Sequence, residues 1–163
     1  MPESTLTALI GAAQSAPTSS NLQLWSVVAV RDPDRRARLA EIAGGQQHVV
    51  EAPLVLVWLA DRARAGRIAA EADAPGDGAD YLEAGVVAVV DVALAAQNAS
   101  PAAESLGLGT VFLGALCDDP LAVAAELRLR THVFPVFGLV VGDPPQAAMT
   151  VTASAGARAA AAR

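Results

Sequence analysis

The order of apolar segments along the chain predicts a layered domain of the α/β or α+β class. Four short segments rich in Val and Leu are typical of strands, and segments with helical spacing or helix-capping signals lie between them. A chain of 163 residues is long enough for one domain with one sizeable core. Because strands and helices alternate, we expect the helices to pack in layers against a sheet.

The first half of the chain combines two predicted helices with two predicted strands. The helices span 2–15 and 32–43, and the strands span 25–30 and 54–60. Pro17 ends the first helix, since a proline forces the preceding residue out of the α region. Asp32 and Pro33 start the second helix as a capping carboxylate and a proline at the first helical position. Gly44 and Gly45 supply its left-handed end.

The second predicted strand, 54–60, is uniformly apolar, which predicts a sheet covered on both faces. The segment 61–80 that follows it is the most polar part of the chain. We interpret it as a helical turn followed by a mobile loop, with a lid as a candidate role. Between the second helix and the second strand, 46–50 reads as a short polar link or a turn of helix.

A long helix is predicted over 81–106, and it is apolar on nearly every side. A helix of that kind is buried in the core or in a subunit interface. Pro101 lies inside it and removes one backbone hydrogen bond, so we expect a kink there.

The last part of the chain adds two strands, 110–113 and 133–141, and a helix from Asp119 and Pro120 to about residue 129. The segment 142–145 ends the last strand. The Ala-rich remainder shows no usable apolar periodicity. We therefore expect one domain over 1–145 and a poorly ordered tail over 146–163.

Composition excludes several classes of function. The net charge of −6 and the pI near 4.7 argue against nucleic acid or an anionic membrane as partner. The single cysteine, Cys117, excludes an internal disulfide and a cysteine-cluster metal site. Neither histidine, His48 or His132, has a carboxylate at metal-ligand spacing, so we expect no metal. The apolar stretch 84–96 is too short to span a bilayer, and we expect a cytoplasmic protein.

The loop between the first helix and the first strand is the strongest candidate site. Three consecutive hydroxyls, on Thr18, Ser19 and Ser20, suit a ligand rich in oxygen atoms. Short side chains and free backbone N–H groups would let such a ligand approach. The alternative is an ordinary turn whose hydroxyls bond their own backbone, and loop polarity alone does not separate the two.

Four stretches, in chain order, read SAPTSSNLQ at 15–23, GGQQHV at 44–49, AAQNA at 95–99 with AAESLGLG at 102–109, and VFPVFGL at 133–139. Together they resemble the nitroreductase superfamily, and within it the branch of NADPH-dependent oxidoreductases and flavin reductases. The resemblance covers about 2–145. It implies an α+β fold of three layers, with a central, mainly antiparallel sheet between helices. It also implies a homodimer that packs through the long helix 81–106 and forms two FMN sites at the interface.

The resemblance implies three groups of cofactor contacts. The ribityl and phosphate oxygens of FMN would be contacted by Thr18, Ser19 and Ser20. The edge of the isoalloxazine ring would be reached by Gln46, Gln47 and His48. Backbone N–H groups near the reactive nitrogen would come from Phe112, Leu113 and Gly114. A residue without a side chain at position 114 would let the backbone approach a flat ring.

The implied activity is that of an FMN-dependent oxidoreductase. Hydride would pass from NAD(P)H via the flavin to a nitroaromatic, quinone or flavin acceptor, with ping-pong kinetics. No catalytic side chain is expected, because flavin hydride transfer requires no general base.

The sequence departs from the family pattern at two cationic motifs that bind the FMN phosphate. An Arg-containing motif is expected near the start, where this chain begins Met1-Pro2-Glu3, and 149–153 contains no Lys or Arg. Hydrogen bonds to charged groups contribute about 1.5–3 kcal/mol each, so their loss would weaken FMN binding. Two alternatives follow: a late start in a once-complete gene, or a degenerate, non-catalytic or partner-dependent member acting as an interaction subunit.

Overall fold

The computed structural model describes residues 1–74 and 81–144. Its helices are α1 (Glu3–Gln14), α2 (Pro33–Ile42), α3 (Gln47–Glu51), α4 (Arg62–Glu71), α5 (Leu82–Ser105) and α6 (Pro120–Leu127). Its strands are β1 (Trp25–Val30), β2 (Leu54–Asp61), β3 (Gly109–Leu113) and β4 (Val133–Gly142). Short 3-10 turns cover Ser19–Asn21 and Gly114–Cys117. The predicted order of helices and strands is confirmed.

The four strands form one sheet in the order β1-β2-β4-β3, and every neighbouring pair is antiparallel. Trp25 at the start of β1 pairs with Ala60 near the end of β2. A register shift between Trp58 and Leu59 interrupts the pairing of β2 with β4. The antiparallel sheet confirms what the family resemblance implied.

Strand β2 lies inside the sheet and is buried on both faces, as its uniformly apolar sequence predicts. Leu54, Leu56, Trp58 and Ala60 join the core cluster that contains α1 and α5 residues. Val55, Val57 and Leu59 join the opposite cluster, with residues of α2, α3 and α6. Helices thus cover both faces of the sheet, which gives the three layers of an α+β fold.

The helix ends follow the predicted capping chemistry. The Asp32 carboxylate accepts the Arg35 N–H at 2.9 Å, and the Asp119 carboxylate accepts the Ala122 N–H at 2.9 Å. Gly44 and Gly45 have φ of 81° and 77°, the left-handed conformation predicted after α2.

The polar segment 61–80 differs from the prediction, because α4 is ten residues long rather than a single helical turn. Asp61 explains the longer helix: its carboxylate caps it by accepting the Arg64 N–H at 3.1 Å. At 46–50, where the sequence left a polar link or a turn of helix open, the structure has the short helix α3. The rest of the expected loop, 75–80, and the expected tail, 146–163, lie outside the described residues.

Helix α5 runs as one helix through Pro101 to Ser105, and a kink at Pro101 stays a prediction. By length and composition alone this 24-residue helix could cross a membrane, because it extends beyond the apolar stretch 84–96 at both ends. One face of α5, however, packs on the sheet and on α1, with Ala88, Val92, Ala95, Ala96 and Ala99 fully buried. Such packing is typical of a core helix.

Candidate functional site

The hydroxyl-rich loop lies between α1 and β1 and has an unusual backbone. Ser20, Asn21 and Gln23 have positive φ of 50°, 56° and 50°, a conformation that residues other than glycine rarely adopt. The Thr18 hydroxyl accepts the Gln23 N–H at 3.3 Å, as the ordinary-turn alternative expects. The hydroxyls of Ser19 and Ser20 make no hydrogen bond within the described residues, and both side chains are exposed. They are available to a ligand.

A buried carboxylate on α5 holds this loop in place. Asp91 is fully buried, and its two oxygens accept the N–H groups of Ser19 at 3.3 Å and Leu24 at 3.0 Å. In the sequence, Asp91 only interrupts the apolar stretch 84–96. The sequence nevertheless contains a signal for its anchoring role, because a lone carboxylate in an apolar helix must find hydrogen-bond donors when it is buried.

Two further contacts fix the chain on either side of the loop. Asn98, two turns beyond Asp91 on α5, donates to the carbonyl of Ala12 near the end of α1 at 3.2 Å. From α4, the Arg64 guanidinium donates to the carbonyls of Gln23 and Trp25. The loop is therefore anchored by α5 before β1 begins, and by α4 at its end.

The second group of predicted contacts, Gln46, Gln47 and His48, lies at the start of α3, and only one of its three side chains lines a cavity. The Gln46 amide donates to the Ala43 carbonyl at 2.9 Å and so satisfies the end of α2. The Gln47 amide donates to the Glu51 carboxylate at 3.0 Å, one turn along α3. His48 alone of the three lines a cavity of about 610 Å³, which it shares with Thr110 and Val111 of β3.

The third group, at the end of β3, has mixed surroundings. The Leu113 side chain is buried in the core, and the Phe112 ring packs edge-on against Phe137 with centroids 5.3 Å apart. Gly114 is exposed, and no neighbouring atom lies within 4 Å of the place where a Cβ would stand. The backbone at Gly114 is therefore open to a flat ring, and its contact with FMN stays a prediction.

One chain does not bring the first two groups together. The hydroxyl-rich loop joins β1 next to Ala60, at the far end of β2, whereas α3 precedes Leu54 at the near end. Eight residues of strand separate the two ends of β2, which is roughly 24 Å at the usual rise of a strand. The two groups also adjoin opposite core clusters.

The outward face of α5 carries an apolar stripe that the described part of the chain leaves uncovered. It consists of Leu82, Val86, Val89, Val90 and Leu94, which are between 37% and 84% exposed. Their spacing of three and four residues places them on one side of the helix, opposite the buried alanines. The sequence prediction of a helix apolar on nearly every side is thus confirmed, but residues 1–74 and 81–144 cover only one side of it.

Neither the histidines nor the cysteine forms a metal site in the described residues, where no group of three or more His, Cys, Asp or Glu side chains converges. The Cys117 thiol is exposed and donates to the Val136 carbonyl at 2.6 Å.

The fold and the loop define the class of the protein. The model of the Nitroreductase family matches residues 1–143, and the chain belongs to that family. The family resemblance inferred from the four sequence stretches is confirmed.

Among members of the family, the chain is similar in sequence to flavin reductases and nitroreductases. The chain is 43% identical over 138 residues to the FMN reductase (NAD(P)H) of Bacillus subtilis, an alignment that spans 83% of this chain and 55% of the relative. It is 39% identical over 137 residues to the oxygen-insensitive NADPH nitroreductase of Salmonella typhimurium, with 84% and 55% covered. The chain thus spans a little over half the length of the curated relatives it matches.

Solved structures of similar oxidoreductases superpose on this chain. B. megaterium NfrA2 superposes with a TM-score of 0.86 at 42% identity, covering 88% of this chain and 58% of that one. The NADPH:FMN oxidoreductase from Vibrio harveyi, solved with NAD+, superposes with a TM-score of 0.82 at 35% identity, covering 90% and 60%.

Proposed function

We propose that this chain forms part of an FMN-dependent oxidoreductase that takes hydride from NAD(P)H and delivers it to a small-molecule acceptor. The observation that carries the proposal is the exposed hydroxyl-rich loop fixed by Asp91, in a chain 43% identical to an FMN reductase. FMN, when bound, would supply the hydride-accepting and hydride-donating chemistry. The protein would supply binding, orientation and shielding from water.

The residues of the loop suit the oxygen-rich part of FMN. The hydroxyls of Ser19 and Ser20 can donate to phosphate or ribityl oxygens, and Thr18 holds the loop closed through Gln23. No cationic side chain is among these three residues. A neutral hydrogen bond contributes about 0.5–1.5 kcal/mol, so the affinity of the loop depends on how well it is preorganised.

The residues at the start of α3 and at the end of β3 suit the isoalloxazine ring of FMN. The imidazole of His48 lines the cavity beside β3 and can donate or accept a hydrogen bond at a ring edge. The open space at Gly114 allows a ring to contact the backbone. Gln46 and Gln47 would act mainly by positioning α3, because their amides already hydrogen-bond to Ala43 and Glu51.

Two copies of the chain would complete each site. The loop and α3 are too far apart along β2 to contact one flavin within one chain. A second copy, packed on the apolar stripe of α5, would bring the loop of one subunit to His48 and Gly114 of the other. The stripe adjoins Asp91 and hence the loop. We therefore propose a homodimer with two equivalent sites.

Reductant and acceptor would occupy the same site in turn, which predicts ping-pong kinetics. The acceptor classes we propose are nitroaromatics, quinones and free flavin, which are planar molecules that can lie against a ring. The net charge of −6 disfavours nucleic acid as a partner. We propose a cytoplasmic location, with residues 1–145 as the working domain.

Initial-rate kinetics test this proposal. The full chain, reconstituted with FMN, should oxidise NADPH or NADH with a nitroaromatic, a quinone or free flavin. Varying both substrates should give parallel double-reciprocal lines. Intersecting lines would reject the shared site. A chain that stays colourless after reconstitution would instead favour the interaction-subunit alternative.

A further inference from the structure

A second groove, of about 700 Å³, opens between α4 and the loop that leads into β4. Arg62 and Arg67 belong to its α4 wall, and Arg130 and His132 belong to the opposite wall. None of the predicted FMN contacts lines it. It lies in the polar segment whose role the sequence left open.

The charge of this groove is opposite to that of the whole chain. The chain has a net charge of −6 and 11 cationic side chains, yet three arginines line this one groove. Asp61 also lines it. Its carboxylate already accepts the Ser26 hydroxyl at 2.6 Å and the Arg64 N–H at 3.1 Å. With three guanidiniums against this one carboxylate, the lining still carries a net positive charge.

The groove arginines have no carboxylate partner among the described residues. The ion pairs of that part of the chain belong to Arg31, Arg35 and Arg38. The Nε atom of Arg62 is buried and has no hydrogen-bond partner there. The three guanidiniums of the groove are therefore free of internal carboxylates among the described residues, and the groove favours an incoming anion.

The two walls are held together before any ligand binds. The Arg62 N–H donates to the His132 carbonyl at 3.0 Å, which joins the first turn of α4 to the loop before β4. His132 itself has a positive φ of 66°. The Val133 N–H closes the loop by donating to the Arg130 carbonyl at 3.2 Å. A preformed groove loses little conformational entropy on binding.

The floor of the groove is apolar and made of small residues. Ala63, Gly66 and Ala70 lie at helical spacing on the side of α4 that faces the groove. Guanidinium forks match phosphate oxygens in pairs and also stack on flat rings. A ligand that combines a phosphate with an apolar, planar body would use both features.

We propose that this groove binds a small organic phosphate. Arg62, Arg67 and Arg130 hold the phosphate, and the apolar floor at Gly66 contacts the planar body. Three guanidiniums favour a doubly charged phosphate monoester over a singly charged carboxylate. The site goes beyond the proposed oxidoreductase function and does not depend on it.

Isothermal titration of the full chain with AMP, adenosine and inorganic phosphate tests this site. AMP should bind saturably. Adenosine, which lacks the phosphate, and inorganic phosphate, which lacks the planar body, should each bind at least tenfold more weakly. Equal affinity for AMP and adenosine, or no AMP binding at millimolar concentrations, would overturn the proposal.

Two sets of variants assign the binding to this groove. A Cβ on Gly66 meets no atom within 4 Å, so Gly66→Leu should fill the floor without disturbing the fold and should abolish AMP binding. Gly11→Leu is the matched control, because Gly11 is also an open helical glycine but lies on α1. The double variant R67Q/R130Q should weaken AMP at least tenfold, whereas R128Q, outside the lining, should not.

If AMP bound at the FMN site instead of the groove, its binding would be unaffected by Gly66→Leu, and FMN would displace it. That result would overturn the proposal that the groove binds AMP, while leaving the proposed oxidoreductase function intact. Loss of AMP binding in both Gly66→Leu and Gly11→Leu would equally reject the assignment.

Discussion

Asp91 and Leu24 are 67 residues apart in sequence, yet the Leu24 N–H donates to the Asp91 carboxylate at 3.0 Å. The other oxygen of the same carboxylate accepts the Ser19 N–H at 3.3 Å. One fully buried side chain of the long helix thus determines where the hydroxyl-rich loop stands. The same helix carries the uncovered apolar stripe one residue away, at Val90. The helix that holds the loop therefore also carries the surface on which we propose that a second copy packs.

Asp91→Asn should weaken both the fold and the binding of FMN. An amide offers one acceptor oxygen instead of two, so one loop N–H loses its partner at a cost of about 1–3 kcal/mol in the free energy of unfolding. The loosened loop should raise the Kd for FMN by roughly tenfold. Urea unfolding and fluorescence titration measure the two effects. Asp118→Asn, an exposed neighbour of α6, is the control. An unchanged Kd in a destabilised Asn variant would mean that the loop does not bind FMN.

Val90→Glu should dissociate the proposed homodimer. Val90 is 49% exposed within one chain, so the charge should cost the monomer little. In a dimer the same carboxylate would be buried without a partner, which is strongly unfavourable. Sedimentation velocity should show a dimer for the unsubstituted chain and a monomer for the variant. Leu121→Glu, 80% exposed on α6, should leave the dimer intact. A monomeric unsubstituted chain would contradict the assigned role of the stripe.

Asp119→Ala should destabilise the fold by about 1 kcal/mol, because it removes the N-cap of α6. The adjacent Asp118→Ala should have a much smaller effect, since the Ala122 N–H bonds to Asp119. Denaturant unfolding of both variants makes the comparison. Equal destabilisation by the two variants would show that general loss of charge, rather than capping, is responsible.

The ion pair between α2 and α6 should make stability depend on pH. Arg38 donates two hydrogen bonds to Glu126, at 2.7 and 2.9 Å, and they lower the pKa of Glu126 below its ordinary value of 4.5. A carboxyl whose pKa is lowered by folding stabilises the fold above its unfolded value and loses that effect as the pH falls through its folded pKa. Glu126→Gln should therefore destabilise the chain at neutral pH but not in acid. A difference that persists well below pH 4.5 would contradict the ion-pair origin.

Local signals were sufficient for most of the fold. Strand β1 matches its predicted limits, 25–30. The capping residues Asp32 and Asp119 mark the starts of α2 and α6 because their side chains satisfy N–H groups within the same segment. Helix α4 was underestimated because the cap at Asp61 follows directly from a strand, without a separating turn.

The site was less accessible to sequence reasoning, since it depends on contacts between distant segments. The hydroxyl-rich loop was identified from its composition, but its anchor, Asp91, lies on another helix. The amide nitrogen of Gln46 donates to the Ala43 carbonyl at the end of α2, a short-range contact that composition does not reveal. The wide separation of the loop from α3 follows only from the order of strands in the sheet. Whether the predicted residues contact FMN stays a prediction.

The most direct test of the account is an equilibrium titration of the full chain with FMN, compared with a variant in which Thr18, Ser19 and Ser20 are all alanine. Quenching of the buried pair Trp25 and Trp58 offers a signal, since their rings lie 5.6 Å apart beside the loop. We expect saturable binding of one FMN per chain, weakened at least tenfold in the triple variant. Absence of saturable binding, or equal affinity in the two proteins, would contradict it.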